Sequence, residues 1–226
     1  MRRTTSVLLS LSALLAASAL TVPTAVAAPG ADGPAAAPAG WEAVDAAALA
    51  RITGEKDARR APLAAGDAAA TAAAAAEPEL LAVQSVRNNR FVATEKNYAA
   101  PNTGVQRARS TEFGGSWESY AFEWDEASET YALRSLANNR YVAVEKNYTG
   151  SAQNVLRARS TSVGGWERFV LYYNETLDRW ALQSTLNGLF VAMENGYTGS
   201  LQYALRARSA EVTGSWEEFV LYDIGA

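Results

Sequence analysis

The chain contains no cysteine and no histidine among its 226 residues. Without cysteine there is no disulfide framework, and without either residue there is no Cys/His metal site. The lack of histidine removes Ser-His-Asp and Cys-His catalysis. Only carboxylates, lysine, tyrosine or a hydroxyl are left to do chemistry, and the sequence is read as that of a protein that is not an enzyme and needs no cofactor or metal. Charge of one sign is scarce as well. A net charge of −4 offers no attraction to nucleic acid or to an anionic membrane, so neither is an expected partner. The apolar run at residues 7–20 is too short to span a bilayer comfortably.

What is present begins with a leader. Arg2 and Arg3 precede that apolar run, and Ala25-Val26-Ala27 is a small-x-small cleavage site. Residues 1–27 are therefore expected to be a secretory signal peptide and the protein to be extracellular. Residues 28–79 are dominated by alanine, with Pro29, Pro34, Pro38, Pro62 and Pro78 scattered through them. Few large apolar side chains are available there to bury, which reads as a linker or propeptide. Trp41, Val44, Leu49 and Ile52 line one side of a short helix ending at Gly54. A transient alanine-rich helix is favoured there over a docked one.

After Glu79 the composition changes and an internal repeat appears. Ser85, Ser135 and Ser184 close equivalent segments, at spacings of 50 and 49 residues. Arg140-Tyr-Val-Ala-Val-Glu145 answers Arg90-Phe-Val-Ala-Thr-Glu95 and Leu189-Phe-Val-Ala-Met-Glu194. Leu156-Arg-Ala-Arg-Ser160 answers Gln106-Arg-Ala-Arg-Ser110 and Leu205-Arg-Ala-Arg-Ser209. Trp166-Glu-Arg-Phe answers Trp117-Glu-Ser-Tyr and Trp216-Glu-Glu-Phe. The copies cover about 80–129, 130–178 and 179–226. Each holds four short segments rich in β-branched and aromatic residues, bounded by turn residues. In the second segment Val142 and Val144 face one way and Tyr141, Ala143 and Glu145 the other. Asn138-Asn139 and Asn187-Gly188 are turn dipeptides that tolerate positive φ. Propellers normally need four or more blades. Three copies fit instead a β-trefoil, a six-stranded barrel capped by three hairpins. The chain is thus expected to be all-β, with residues 80–226 forming the trefoil. Val83, Leu133 and Leu182, with Val92, Val142 and Val191, should meet near its pseudo-threefold axis.

The pattern Leu-x-Ser-x-x-Asn-x-x-Tyr-Val-Ala-x-Glu, then Leu-x-Ala-x-Ser, then Trp-Glu-x-Phe, resembles the repeat of the fascin-like group of β-trefoils. The resemblance extends over residues 80–226. Ricin-type trefoils use a Gln-x-Trp repeat that this chain lacks. Fascins cross-link actin with several trefoils in tandem and basic surfaces. Here a single trefoil carries 14 Lys/Arg against 16 Asp/Glu, a net of −2 that suits an acidic filament poorly. Similar domains are attached to secreted bacterial hydrolases, which implies a lectin-like role toward a polysaccharide or glycan. The alternative is a protein partner, either actin or a protease.

Candidate residues divide into framework and loop. Trp117, Trp166 and Trp216 are expected in the core rather than as sugar platforms. Glu95, Glu145 and Glu194, recurring with Arg109, Arg159 and Arg208, read as cross-strand ion pairs rather than paired catalytic acids. Glu118, Glu167 and Glu217 receive the same reading. The turn residues are the binding candidates. Asn88, Arg90, Lys96, Asn97 and Tyr98 in copy one match Asn138, Arg140, Lys146, Asn147 and Tyr148 in copy two, whereas copy three keeps Tyr197 alone of the second cluster. A planar amide, a cation and an exposed tyrosine ring suit sugar hydroxyls and a pyranose face. Against this stand ordinary solvated turns, and a tyrosine that recurs three times and plugs the barrel bottom.

Overall fold

A computed structural model describes residues 37–60 and 77–225; the leader expected at residues 1–27 lies outside them. A short strand β1 (Glu42–Ala43) and a helix α1 (Ala46–Arg60) precede twelve further strands. These are β2 (Glu79–Ser85), β3 (Arg90–Glu95), β4 (Val105–Ser110), β5 (Ser119–Asp125), β6 (Thr130–Ser135) and β7 (Arg140–Val144). They continue as β8 (Leu156–Ser160), β9 (Arg168–Asn174), β10 (Arg179–Ser184), β11 (Phe190–Met193), β12 (Leu205–Ser209) and β13 (Phe219–Asp223).

Six strands close into a ring. β2 pairs with β5, β5 with β6, β6 with β9, β9 with β10, β10 with β13, and β13 again with β2, every pair antiparallel. A closed ring leaves no sheet edge to template aggregation. The hairpins β3–β4, β7–β8 and β11–β12 extend from it. The turns that lead into them place Asn89, Asn139 and Gly188 at φ of 54°, 53° and 68°, the left-handed region these residues tolerate. Each hairpin carries a register shift at the same place, after Phe91, Tyr141 and Phe190.

Inside, Val83, Leu133, Leu182, Val92, Val142 and Val191 belong to one buried cluster and line a small residual cavity of about 20 Å³. Copy one breaks the symmetry of this core. Where copies two and three have Leu156 and Leu205 it has Gln106, and where they have Phe169 and Phe219 it has Tyr120. Buried polar groups need partners, and these have them. Gln106 Oε1 accepts from Thr94 Oγ1 at 3.1 Å and from the Tyr120 hydroxyl, and Gln106 Nε2 donates to Gly104 O at 2.8 Å. Thr94 Oγ1 also lies 2.7 Å from Ser135 Oγ. Burial pushes the Tyr120 phenol well above its ordinary range.

The segment expected to be a linker needs correcting. Residues 42–60 form β1 and α1, and both are docked. Val44, Leu49 and Ile52 join the main core cluster with Leu81, Tyr131 and Trp180, and Leu49 is 0% exposed. Leu81, Tyr131 and Trp180 occupy equivalent places on β2, β6 and β10. The three large side chains leave an apolar end that α1 covers. The helix is not transient because Leu49 and Ile52, three apart on one face of α1, together with Val44 just ahead of it, suffice to bury that face in spite of the alanine-rich average. Asp45 caps the helix, its Oδ1 accepting from Ala48 N at 2.8 Å. Gly54 does not end it. The helix continues to Lys56, whose ammonium pairs with Asp178 and sits 4.7 Å from the Tyr173 ring centroid and 5.2 Å from that of Trp180. These contacts offset the roughly 1 kcal/mol a helical glycine costs.

Leu49→Ala should cost about 2–5 kcal/mol in urea denaturation, the range for a core cavity; a transient helix would give a loss under about 0.5 kcal/mol. The triple variant Thr94→Val, Gln106→Leu, Tyr120→Phe should cost less than Gln106→Leu alone, because it exchanges three members of the hydrogen-bonded set for apolar groups of similar shape and leaves only the buried Ser135 hydroxyl short of a side-chain partner. Gln106→Leu alone should cost about 1–3 kcal/mol, because Tyr120 and Thr94 then lose their acceptor.

Candidate functional site

Asn88 and Asn138 are consumed by the fold. Asn88 Nδ2 donates to Ala108 O at 2.9 Å while its Oδ1 accepts from Arg90 N at 3.2 Å; Asn138 does the same with Ala158 O at 2.8 Å and Arg140 N at 3.2 Å. Asn187 repeats both bonds in copy three. Each amide thus staples the turn to the end of the hairpin. Arg90 adds a bond from Nη1 to Arg109 O at 2.8 Å, whereas Arg140 is exposed.

The tyrosines are also engaged, which corrects their reading as rings open for stacking. Tyr98 and Tyr148 pack against a buried cluster of Val105, Val155 and Ala204 where the three hairpins meet. Their hydroxyls accept from Arg107 and Arg157, and Tyr197 accepts from Arg206. Tyr148 also donates to Pro101 O at 3.4 Å. A recurring tyrosine does therefore serve the framework, at the hairpin end and not at the end that α1 covers.

Those three arginines are the functional group that sequence reasoning missed. Arg107 pairs with Glu95 at 3.2 Å, Arg157 with Glu145 at 3.1 Å and Arg206 with Glu194 at 3.3 Å. The expected pairs of the same carboxylates with Arg109, Arg159 and Arg208 also form. Each missed arginine then reaches into another copy. Arg107 Nε donates to Gln202 O, Arg157 Nε to Thr103 O at 2.9 Å, and Arg206 Nε to Gln153 O at 2.7 Å. The signal was in the sequence: both arginines of Arg-Ala-Arg recur in all three copies, but only the second had been assigned a partner.

The tryptophans need the opposite correction. Trp117, Trp166 and Trp216 are half-buried and outside the apolar clusters. Their carbonyls accept from Thr94 N, Val144 N and Met193 N at 2.9–3.0 Å, in an irregular stretch ahead of β5, β9 and β13. That position turns the indoles outward, against cations. Arg109 and Lys96 lie 5.7 and 5.2 Å from the Trp117 centroid, Arg159 lies 5.5 Å from Trp166, and Arg87 lies 4.3 Å from Trp216. The adjacent carboxylates are not ion-pair partners as expected but loop clasps. Glu118 accepts from Ser110 Oγ at 2.7 Å and Gly114 N at 3.3 Å, Glu217 from Ser209 Oγ at 2.6 Å, and Glu167 from Gly164 N at 2.8 Å.

The candidate residues of one copy do not form a single site, because Arg90 and Lys96 stand at opposite ends of β3. They meet across copy boundaries instead. Lys96 Nζ donates to Ala137 O at 3.2 Å, beside Asn138 in the turn of the next copy. Arg87, in the copy-one turn, covers Trp216 of copy three. Two boundaries thus join an indole, a cation and a neighbouring turn, whereas Trp166 takes its cation, Arg159, from its own copy. Copy three has Asn195 where the others have Lys96 and Lys146, and its indole takes its cation from the neighbour. Asn97, Lys146 and Asn147 are exposed.

No family model and no curated protein matches the chain. Solved structures do. ThreeFoil, a designed threefold-symmetric protein, superposes with a TM-score of 0.51 at 16% identity, over 64% of this chain and 99% of its own. The Polyporus squamosus lectin, solved with Neu5Acα2-6Galβ1-4GlcNAc, gives 0.51 at 15% identity, over 66% of this chain and 50% of its own. The BEL β-trefoil gives 0.50 at 10% identity, over 66% of this chain and 95% of its own. At such identities the likeness carries the fold alone: the chain is all-β and its barrel with three hairpins is a β-trefoil.

The arginine bridges give a direct test of how the copies are joined. Glu145→Ala should destabilise the protein by about 3–5 kcal/mol in chemical denaturation, since it strands the largely buried Arg157 without its counter-charge. A loss under about 1 kcal/mol, the scale of a surface ion pair, would overturn this role.

Proposed function

We propose that this is a secreted, noncatalytic trefoil of the fascin-like group, built from three four-stranded repeats of about 49 residues, that binds a polysaccharide or glycan. The observation that carries this reading is the boundary arrangement. An indole held half-exposed beside a cation recurs three times around the barrel, and at two boundaries the turn of the neighbouring copy joins it. Indole edges offer apolar contact to a sugar ring, and the lysine and amide groups offer hydrogen bonds to its hydroxyls. Such sites are shallow and individually weak, and repetition on one rigid body lets a polymer engage more than one of them.

The rival readings find less support. Glu95, Glu145 and Glu194 are each engaged by two arginines, which ties them to the framework and away from a substrate. An actin-directed role gains nothing from a domain whose net charge is −2. The lectin among the structural neighbours supports a glycan as partner, and the leader-like residues 1–27 support export.

The test is retention on insoluble polysaccharides together with a glycan array, with thermal melts on the same preparations. Lys146→Ala with Asn147→Ala removes two exposed groups from one boundary. At about 1 kcal/mol per hydrogen bond it should weaken retention roughly tenfold or more, with the melt unchanged. Trp166→Ala should weaken it further. No retention of the wild-type protein on any glycan, or unchanged retention by folded Trp166→Ala, would exclude this reading.

A further inference from the structure

Fourteen lysines and arginines lie in residues 80–226, and eight of them pair with carboxylates. Arg179 donates to Asp178 O at 2.8 Å. The five that remain, Arg87, Arg90, Lys96, Arg140 and Lys146, have no carboxylate at ion-pair distance among the described residues. All five stand at the hairpin end, near the boundary indoles. Arg87 lies 4.3 Å from the Trp216 centroid, and Arg90, which ends the same turn, lies 5.8 Å from that of Tyr203. Lys96 lies 5.2 Å from the Trp117 centroid and donates to Ala137 O, in the turn that Arg140 ends. Lys146 holds the place of Lys96 in copy two and is exposed.

Carboxylates gather at the opposite end. Glu126 and Glu129 are exposed in the β5–β6 turn, and Glu175 in the β9–β10 turn. Asp178 of that second turn pairs with Lys56 of α1, which sets these turns at the end of the barrel that α1 covers. Glu42 and Asp45 add exposed carboxylates there. At the hairpin end Glu95, Glu145 and Glu194 are engaged by arginines, and Glu118, Glu167 and Glu217 are closed into loop clasps. Glu112 and Glu211 are exposed on the loops ahead of Trp117 and Trp216, where copy two has Ser162. The net of −2 over residues 80–226 thus averages an acidic end and a cationic one.

Resting on the glycan reading above, we infer that the polysaccharide is anionic, a polymer whose sugar units carry carboxylate or sulfate groups. Neutral hydroxyls need only a donor and an acceptor, which an amide supplies without charge. Cations held without counter-charges around the indoles form instead a surface complementary to negative charge. The indoles narrow the class. A uronate or a sulfated sugar brings an anion for the guanidinium or ammonium and an apolar ring face for the indole on one unit. Each exposed charge contact is weak, so the preference for charge accumulates over several contacts along one chain. Within the circuit the loop of copy two is the least acidic, because Ser162 stands where the other copies have glutamate.

The test uses the full chain with polygalacturonate, alginate and dextran sulfate, each beside an uncharged counterpart: methyl-esterified, carboxyl-reduced or unsulfated. At least one charged polymer should be retained about tenfold more strongly than its uncharged form. Raising salt from about 0.05 to about 0.5 M should remove most of that difference, because exposed charges are screened. Lys96→Gln with Lys146→Gln keeps a hydrogen-bonding group at each place and removes the charge. That variant should lose about tenfold on the charged polymer, with the melting temperature unmoved. Ser162→Glu should weaken retention of the same polymer. Equal retention of charged and uncharged forms, or unchanged retention by the double variant, would overturn the inference and leave the glycan reading standing. Equal retention of polyaspartate or DNA would overturn it too, since the charge would then need no sugar ring. No retention of any polysaccharide, charged or uncharged, would sink the glycan reading itself and this inference with it.

Discussion

Each hairpin presents carbonyl oxygens that only another copy can satisfy. Gly104 O accepts from Ala158 N at 2.7 Å, Asn154 O from Ala207 N at 3.0 Å, and Tyr203 O from Ala108 N at 2.9 Å. The acceptors run from copy one to two, two to three and three to one, so the set closes on itself. All three carbonyl residues have positive φ, at 80°, 60° and 61°. In copy one the space is tight as well: a Cβ on Gly104 would stand 2.4 Å from Ala158 O. The buried guanidiniums of Arg107, Arg157 and Arg206 follow the same circuit and hold the loops beside these carbonyls. A buried backbone group without a partner is costly, so no hairpin is complete without its neighbours. The threefold closure is in this sense a hydrogen-bonding requirement as much as an apolar one.

The circuit places the surface features. Because each hairpin leans on the next, the groups that meet at the surface come from different copies. Lys96 reaches the Ala137 carbonyl, and Arg87 reaches the Trp216 ring. A site that spans a boundary inherits the rigidity of both sides, which is what weak, shallow recognition needs to avoid an ordering cost. The guanidinium near each indole does two jobs. At Trp117 and Trp166 it balances a buried glutamate and lies against the indole, whereas at Trp216 these jobs are split between Arg208 and Arg87.

Much of the architecture was legible in the sequence, for stated reasons. Three copies cannot close a propeller, and the ring of six strands is what counting requires. The Asn and Gly turn positions declared their positive φ, and the axial valines and leucines their burial. What misled was reading each copy as though it stood alone. Within one copy Tyr98 has no strand neighbour, so its ring looks free; its neighbours are Val105, Val155 and Ala204, one from each copy. Trp117 looks like core because it opens a strand, yet the strand that would bury it is replaced by a cation. Ala143 and Glu145 face away from Val142 and Val144 yet are buried as well, with Arg157, Arg159 and Tyr148 grouped around Glu145 on that side. The helix was expected, but its docking was not, because the alanine-rich composition around it hides how few apolar residues are needed to bury one face.

Apart from the boundary tryptophans, the residues repeated in every copy therefore carry little information about what the protein recognises. Asn88, Asn138 and Asn187 staple turns; the tyrosines and glutamates hold the arginines that join the hairpins. Perfect repetition is the signature of a constraint all three copies share, and the shared constraint is closure. The informative positions are those where the framework is satisfied and the copies nevertheless diverge. Lys96, Lys146 and Asn195 differ at one boundary position, and Phe113, Val163 and Val212 at one rim. Tyr222, Glu123 and Tyr172 differ at the floor of one outer face, with Trp41 recruited to only one of the three. None of these differences is needed to close the barrel. Closure fixes the positions at which side chains reach the surface, and divergence at those positions is what lets three nearly identical units present three different surfaces.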